Sequence, residues 1–350
     1  MSAGRVDVVS PDVWGSPGGI ARVAVAVAAA CRSAGREVTV HALHDPGSGG
    51  GAMNRAATER AVTGYGGDRK RMSAAVVRAG LGGSLVIFMH PNLAVLGPLF
   101  RWRSKYVVVS HGVEVWSPMS RLRMLGMRQA AAHWAVSENT KWYLGEVQGI
   151  AGERVRVIRN ALGPGAVLPE RSAAAERARG DYLLVVSRLH PDDAYKGVDL
   201  VIEAAAGRWP VVVAGDGPDR GRLEALARAR GGDVRFMGRV DDATLGRLFA
   251  EARAFVLPSA GEGFGLVYLE AMAHGLPCVA AKAGGAPEVV VDGLTGVVVP
   301  PRDIEALRVA MGRVCGEEGL AMGFAGRERL EREFLFSRYE REVHAALAAL

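Results

Sequence analysis

The feature that most constrains the fold is a series of continuous apolar runs of strand length, rich in Val and Ile and separated by helical stretches. In the first half they fall at residues 5–11, 37–44, 85–90, 106–112, 133–137 and 155–160. A run that is apolar at every position, rather than at alternate ones, suits a strand buried on both faces. Such strands belong to parallel sheets covered by helices. Residues 161–180 break the pattern with Gly-Pro-Gly, another Pro, and then small and charged residues, which reads as an interdomain linker. The alternation resumes at 182–188, 211–217, 234–238, 254–259, 278–281 and 296–300. The tail from 304 to 350 has a helical pattern, interrupted at Phe334 and Phe336, with Ser337 as the expected N-cap of a last amphipathic helix. Residues 45–67 form a Gly-rich polar loop, long enough to suspect a functional role or mobility.

The expected architecture is therefore α/β, with two doubly wound parallel-sheet domains facing across a cleft, spanning 1–165 and 166–336. A length of 350 residues suits two domains of about 150 each. Ligands of such sheets bind at the carboxyl ends of the strands, so functional residues should cluster at strand–helix turns.

Charge narrows the partner. A formal net charge of +6 permits an anion: a nucleotide, a phosphorylated substrate or a membrane surface. No nucleic-acid-binding signature is present, and no nucleic-acid partner is expected. Only five of the 43 basic residues are Lys, namely Lys70, Lys105, Lys141, Lys196 and Lys282; this reads as compositional bias rather than a basic patch. The three Cys are far apart and form no CxxC, in keeping with a reducing compartment. The N-terminus has no signal-peptide pattern. The apolar stretch 85–100 contains His90, Pro91, Asn92 and Pro98, so it does not read as a membrane span. A cytoplasmic location is expected. Residues 118–127 carry several Arg and Met on what reads as an exposed helix, which leaves peripheral association at the inner face of the membrane open.

The densest chemical signal lies at 258–300. Glu262 and Glu270 are spaced E-x7-E, with Glu262 in a loop after a strand and Glu270 just over one turn into a helix opened by Phe264, Gly265 and Leu266. Gly263 and Gly265 let backbone approach a ligand closely. Free N–H groups at the helix start suit a diphosphate, and the carboxylates suit sugar hydroxyls. The alternative is a solvated helical Glu270 after an ordinary Gly turn. The flanking Gly-Phe-Gly, Gly-Leu-Pro and Gly-Gly steps all fit one architecture and favour the site.

With Arg188, Lys196-Gly197 and Gly215-Asp216-Gly217-Pro218 before it, this stretch resembles the retaining glycosyltransferase family 4, of GT-B fold with two Rossmann-like domains. The resemblance is specific across 182–300 and looser in the first half. It implies that 166–336 holds a nucleotide-sugar donor, UDP- or GDP-linked. Residues 1–165 would hold the acceptor: a glycan, a lipid-linked saccharide or a natural-product precursor. The helix 337–350 would pack back on the first domain.

The same resemblance implies residue roles. Arg188 and Lys196 would grip the diphosphate, whose charge grows as the glycosidic bond breaks; the alternative is surface pairing with Asp192 or Asp193. The segment 190–195 lengthens the loop between the two cations relative to the shortest family pattern. Glu262 would hold the sugar hydroxyls and Glu270 the ribose, with the N–H groups of Phe264, Gly265 and Leu266 towards the diphosphate and sugar. Gly18 and Gly19 would face the donor phosphate and the acceptor, although a plain β–α turn explains them as well. His111 falls where the family places a His near the transferred sugar; a structural His is the alternative. His90 is an acceptor-side candidate. Val240 ends a step whose backbone commonly reads the nucleobase, and Gly215–Pro218 has a structural role. Asn160 stands where the family has Asn-Gly-Val-Asp, here without the Asp. No nucleophile is evident, in keeping with a same-face mechanism.

Neither Asp192-Asp193 nor Asp241-Asp242 makes a metal-binding DxD, and both pairs read as solvated turn or cap residues. No metal and no other cofactor is expected. Rival functions are a nucleotide-sugar epimerase, a phosphorylase-like enzyme and a non-catalytic nucleotide-sugar-binding partner. An oxidoreductase is disfavoured because the first turn lacks G-x-G-x-x-G.

Overall fold

The computed structural model describes residues 4–14, 18–46, 62–170 and 180–350. The chain divides into two compact units, Met1–Ala166 with Leu335–Leu350, and Val167–Phe334.

The first unit is built on a seven-stranded sheet, all of its pairs parallel. Its strands are β1 (Arg5–Ser10), β2 (Glu37–Ala42), β3 (Val62–Gly64), β4 (Leu85–Phe88), β5 (Tyr106–Ser110), β6 (Ala132–Ala135) and β7 (Val155–Val157), in the order β3-β2-β1-β4-β5-β6-β7. Val8 pairs with Val40 on one side and Ile87 on the other. Val8, Val9, Ile87, Phe88 and Val108 are fully buried, as continuous apolar runs require. Apart from β3, each of these strands ends before its apolar run does, and the leftover residues turn off the sheet. His90, His111 and Arg188 all sit in such run ends.

The second unit carries a six-stranded parallel sheet: β8 (Leu183–Val186), β9 (Val211–Ala214), β10 (Val234–Gly238), β11 (Ala254–Leu257), β12 (Cys278–Ala281) and β13 (Gly296–Val299), ordered β10-β9-β8-β11-β12-β13. Both sheets run outward through their first three strands and resume on the other side with the fourth. Each therefore has a switch point, between β1 and β4 and between β8 and β11, where diverging loops open a crevice.

Helix starts follow local chemistry. Asp68, Ser137, Asp241 and Asp303 each accept a backbone N–H three residues on, a cap worth about 1 kcal/mol. In the tail, helices span Ile304–Cys315, Glu317–Glu333 and Phe336–Ala348. Ser337 is not the N-cap: Leu335 occupies that position, with extended backbone and no side-chain cap. The reversal is set by packing instead. Phe334 is buried with its ring 5.9 Å from that of Phe264, and Arg338 donates to the Arg159 and Asn160 carbonyls at 2.8 and 3.0 Å. The last helix lies on the first, Gly19–Ser33, with His344 Nε2 2.9 Å from the Ala30 carbonyl.

The loop expected at 45–67 contains strand β3, too short and too Gly-containing to register as an apolar run. Residues 47–61 of that loop lie outside the described residues. So do 171–179 of the expected linker, whose residues 161–170 form neither helix nor strand. Among the described residues no helix is long and apolar enough to cross a membrane.

Candidate functional site

In the second unit, the loops leaving β8 and β11 meet at the switch point. The chain beyond β8 passes Arg188 and folds residues Pro191–Lys196 into a 3-10 helix, capped by His190 Nδ1, which accepts the Asp192 N–H at 3.2 Å. Gly197, at φ +71°, ends that turn and opens the helix Val198–Ala205. The lengthened loop is thus an ordered element that ends on Lys196.

Lys196 forms an ion pair with Glu262, not with Asp192 or Asp193. Both side chains are largely buried, 19% and 12% exposed, so the pair is poorly screened. Arg188 does pair with Asp193, at 3.2 Å. Here the expectation of a solvated Asp193 is corrected. Its side chain is 9% exposed, because Arg188 and the Tyr195 hydroxyl, 3.1 Å away, satisfy the carboxylate. Asp192 stays exposed, and Asp241 caps the helix Asp242–Glu251.

The loop bearing Glu262 is gripped from two sides. A Cβ on Gly261 would come within 2.4 Å of the Tyr195 ring. On the other side, the Gly285 N–H donates to the Glu262 carbonyl at 2.7 Å, and a Cβ on Gly285 would lie 2.3 Å from the Gly263 carbonyl oxygen. Only glycine fits so close a backbone approach.

The next helix, Leu266–Ala273, starts from Gly265 at φ +97°. The backbone N–H groups of Phe264, Gly265 and Leu266 meet no protein acceptor among the described residues, as expected for a helix N-terminus. Phe264 itself is 2% exposed and packs on Phe334, so only its backbone is available to a ligand. The Tyr268 hydroxyl donates to the Leu257 carbonyl at 2.6 Å and ties this helix to β11. Glu270 is half-buried on the same helix. Val240, also half-buried, follows β10 directly before the Asp241 cap. Gly215 plays the structural part expected of it: a Cβ there would strike the Ser187 carbonyl at 1.8 Å. The loops thus bring together two cations, open N–H donors and a carboxylate, a set suited to a diphosphate joined to a polyol.

In the first unit, Gly18 is the N-cap of the helix Gly19–Ser33, and residues 15–17 before it lie outside the described residues. His111 Nε2 is 2.9 Å from the Met89 carbonyl. A carbonyl can only accept, so Nε2 carries the hydrogen and Nδ1 is left as an acceptor. Burial pushes the His111 pKa down to about 4, opposed in part by that carbonyl, so the ring is neutral near pH 7. The Glu114 carboxylate accepts the His111 N–H. His90 Nδ1 accepts the Asn92 N–H at 3.1 Å and caps the 3-10 helix Pro91–Leu99. A local structural task therefore accounts for His90.

Sequence reasoning named Asp193 only as a surface ion-pair partner and gave no role to Tyr195 or Glu114. Asp193 and Tyr195 lie inside the loop extension, where adjacency to Lys196 was the available signal. Glu114, three residues after His111, had none. A further buried set, His41 between Asp7 and Tyr65 at 2.7 Å each, was also not foreseen.

Residues 180–317 match the family model described as glycosyl transferases group 1. The chain is 36% identical over 265 residues to a GDP-mannose-dependent alpha-(1-6)-phosphatidylinositol monomannoside mannosyltransferase of Mycolicibacterium smegmatis, covering 67% of this chain and 68% of that one. It is 33% identical over 204 residues to glycogen synthase of Mycobacterium tuberculosis, covering 54% of this chain and 47% of the relative. An exopolysaccharide phosphotransferase of Streptomyces coelicolor is 35% identical over 199 residues, covering 54% of this chain but only 20% of that protein. Among solved structures, Anabaena HepE in complex with UDP and glucose superposes with a TM-score of 0.81 at 21% identity, covering 99% of both chains. Sucrose-phosphate synthase of Thermosynechococcus elongatus gives 0.78 at 23%, covering 99% of this chain and 98% of that one. These neighbours share the GT-B fold of two Rossmann-like parallel-sheet domains. The parallel sheets with their switch points, the Glu-bearing loop at one of them and the two-thirds match to the mannosyltransferase lead to one conclusion: this chain belongs to the group 1 glycosyltransferases.

Proposed function

We propose that the protein transfers a sugar from a UDP- or GDP-linked donor to an acceptor with retention of anomeric configuration, as a member of the retaining family 4 branch. The observation that carries this reading is the gathering of Arg188, Lys196, Glu262 and the open N–H groups of 264–266 around the β8/β11 switch point. The cations and the helix start take the diphosphate and offset its charge as it leaves. They supply the charge a divalent cation otherwise would, so the transfer proceeds without metal or other cofactor. Glu262, paired with Lys196, accepts from the sugar hydroxyls, and Glu270 from the ribose. The backbone at Val240 lies against the base. In the first unit, His111 presents a neutral Nδ1 as hydrogen-bond acceptor to the transferred sugar, and Gly18-Gly19 lines the acceptor side. No side chain serves as nucleophile, and the leaving diphosphate oxygen takes the acceptor proton.

The UDP in the HepE structures and the GDP-mannose in the name of the mycobacterial relative support the two donor bases. The acceptor is a glycan, a lipid-linked saccharide or a natural-product precursor. The phosphatidylinositol mannoside in that relative's name supports a lipid-linked one, with the protein acting in the cytoplasm at the inner membrane face. A surface feature points the same way. On the helix Arg121–Gln129, Leu122 and Leu125 are 64% and 45% exposed and lie among exposed Arg121, Arg123 and Arg128.

The test is incubation of purified protein with radiolabelled UDP-glucose or GDP-mannose, with and without saccharide and lipid acceptors and with EDTA. An α-linked product that needs acceptor and survives EDTA is expected. A changed sugar without acceptor would point instead to an epimerase. Unchanged transfer in both Arg188→Ala and Glu262→Ala would sink the residue assignment.

A further inference from the structure

Seven residues separate Arg188 from Lys196, and ordering such a loop to hold two cations in place costs entropy. Its interior supplies the constraint. Asp193 is buried and unexposed to bulk water on most of its surface, yet its partner Arg188 is 72% exposed. Among the described residues one guanidinium nitrogen of Arg188 is engaged, at 3.2 Å from Oδ2 and 3.3 Å from Oδ1, which leaves its other donors for a ligand. The Tyr195 hydroxyl also donates to Asp193, 3.1 Å from Oδ1. Burial and the neighbouring carboxylate raise the Tyr195 pKa, which keeps the phenol a donor.

Tyr195 also spans to the second loop. Its carbonyl accepts the Ala260 N–H at 2.8 Å, and its ring packs against Gly261, 2.4 Å from where a Cβ would stand. Lys196 Nζ is 5.5 Å from the centre of the same ring. One residue thus meets the anchor of Arg188, the backbone beside Glu262 and the head of Lys196.

We propose that Asp193 and Tyr195 are positioning residues for the donor diphosphate: together they hold the guanidinium of Arg188 in place and lock the loop that carries it to the Glu262 loop. Neither touches the diphosphate. Their effect runs through Arg188, by reducing the side-chain freedom that binding would otherwise have to remove. The inference rests on the donor-diphosphate reading of the site.

The test is calorimetric titration of UDP, GDP, UMP and GMP into the intact protein, wild type and variants. Whichever diphosphate binds the wild type should bind Asp193→Asn and Tyr195→Phe at least about fivefold more weakly, with the matching monophosphate within about twofold of wild type. In an Arg188→Ala background, Asp193→Asn should have no further effect, since the residue acts through Arg188. Equal loss of diphosphate and monophosphate binding would mark a merely structural role and overturn the proposal. Tighter diphosphate binding by Asp193→Asn would mean that the carboxylate only competes with the ligand, and would overturn it too. Wild-type affinity in both variants would overturn it while leaving the donor reading intact. Wild-type protein that binds neither diphosphate would remove the donor reading and this inference with it.

Discussion

Lys196 and Glu262, 66 residues apart in the chain, close an ion pair across the β8/β11 switch point. The pair sets a competition: an incoming diphosphate must share Lys196 with a carboxylate that the sugar hydroxyls also need. Removing the charge of Glu262 separates the two roles. In Glu262→Gln, nucleoside diphosphate affinity should hold or rise, while transfer falls at least about tenfold, equivalent to about 1.4 kcal/mol in the barrier. Lys196→Met should lower both. Titration with UDP and GDP beside a transfer assay reads the split. A parallel fall of affinity and rate in Glu262→Gln would contradict it.

Gly285 has φ −86°, which any residue tolerates, so its need for glycine is purely one of space. Gly285→Ala should push the backbone at Gly263 away, with loss of about 2 kcal/mol of stability or more and of most donor binding. Gly221→Ala, in a helix of the same unit with nothing within 4 Å of the new methyl, should be neutral or stabilising by up to about 1 kcal/mol. Thermal melts of both variants make the comparison.

Two buried histidines predict how stability follows pH. Burial pushes His111 and His133 down to about 4 from the ordinary value of 6.5. Between those pH values the unfolded chain binds protons that the folded chain does not, so stability falls as pH drops. Each contributes about 2 kcal/mol of loss by pH 5. The melting temperature should therefore be lower at pH 5 than at pH 7.5, and His133→Gln should flatten the dependence. A melting temperature that rises on acidification would refute it.

Membrane contact through the helix Arg121–Gln129 can be read directly. The protein should float with vesicles containing phosphatidylglycerol but not with pure phosphatidylcholine, and high salt should release it. Replacing both Leu122 and Leu125 by Glu should abolish flotation while leaving donor affinity unchanged. Equal flotation with both lipids, or none with either, would remove this surface from the account.

Strands β8 to β13 were legible because parallel-sheet burial writes an unbroken apolar run into the sequence, as at Val211–Ala214 and Cys278–Ala281. Glu262, Gly263 and Gly265 were legible because their spacing crosses one strand–helix turn. What escaped was set by distant contacts. Asp193 has the polarity and setting of a solvated turn residue, and only the Tyr195 hydroxyl and Arg188 make it an interior one. The partner of Lys196 lay 66 residues away, whereas Asp192 and Asp193 lay beside it. Ser337 had the chemistry of an N-cap, but the burial of Phe334 fixed the turn two residues earlier than that cap required.

The strand order has a consequence for how binding and folding are linked. β8 and β11 are neighbours in the sheet although β9 and β10 lie between them in the chain, so it is the folded sheet that sets Lys196 beside Glu262. A ligand that needs both loops has affinity for the folded unit and little for the unfolded chain. Nucleotide at a hundred times its Kd should therefore stabilise the fold by about 2.7 kcal/mol.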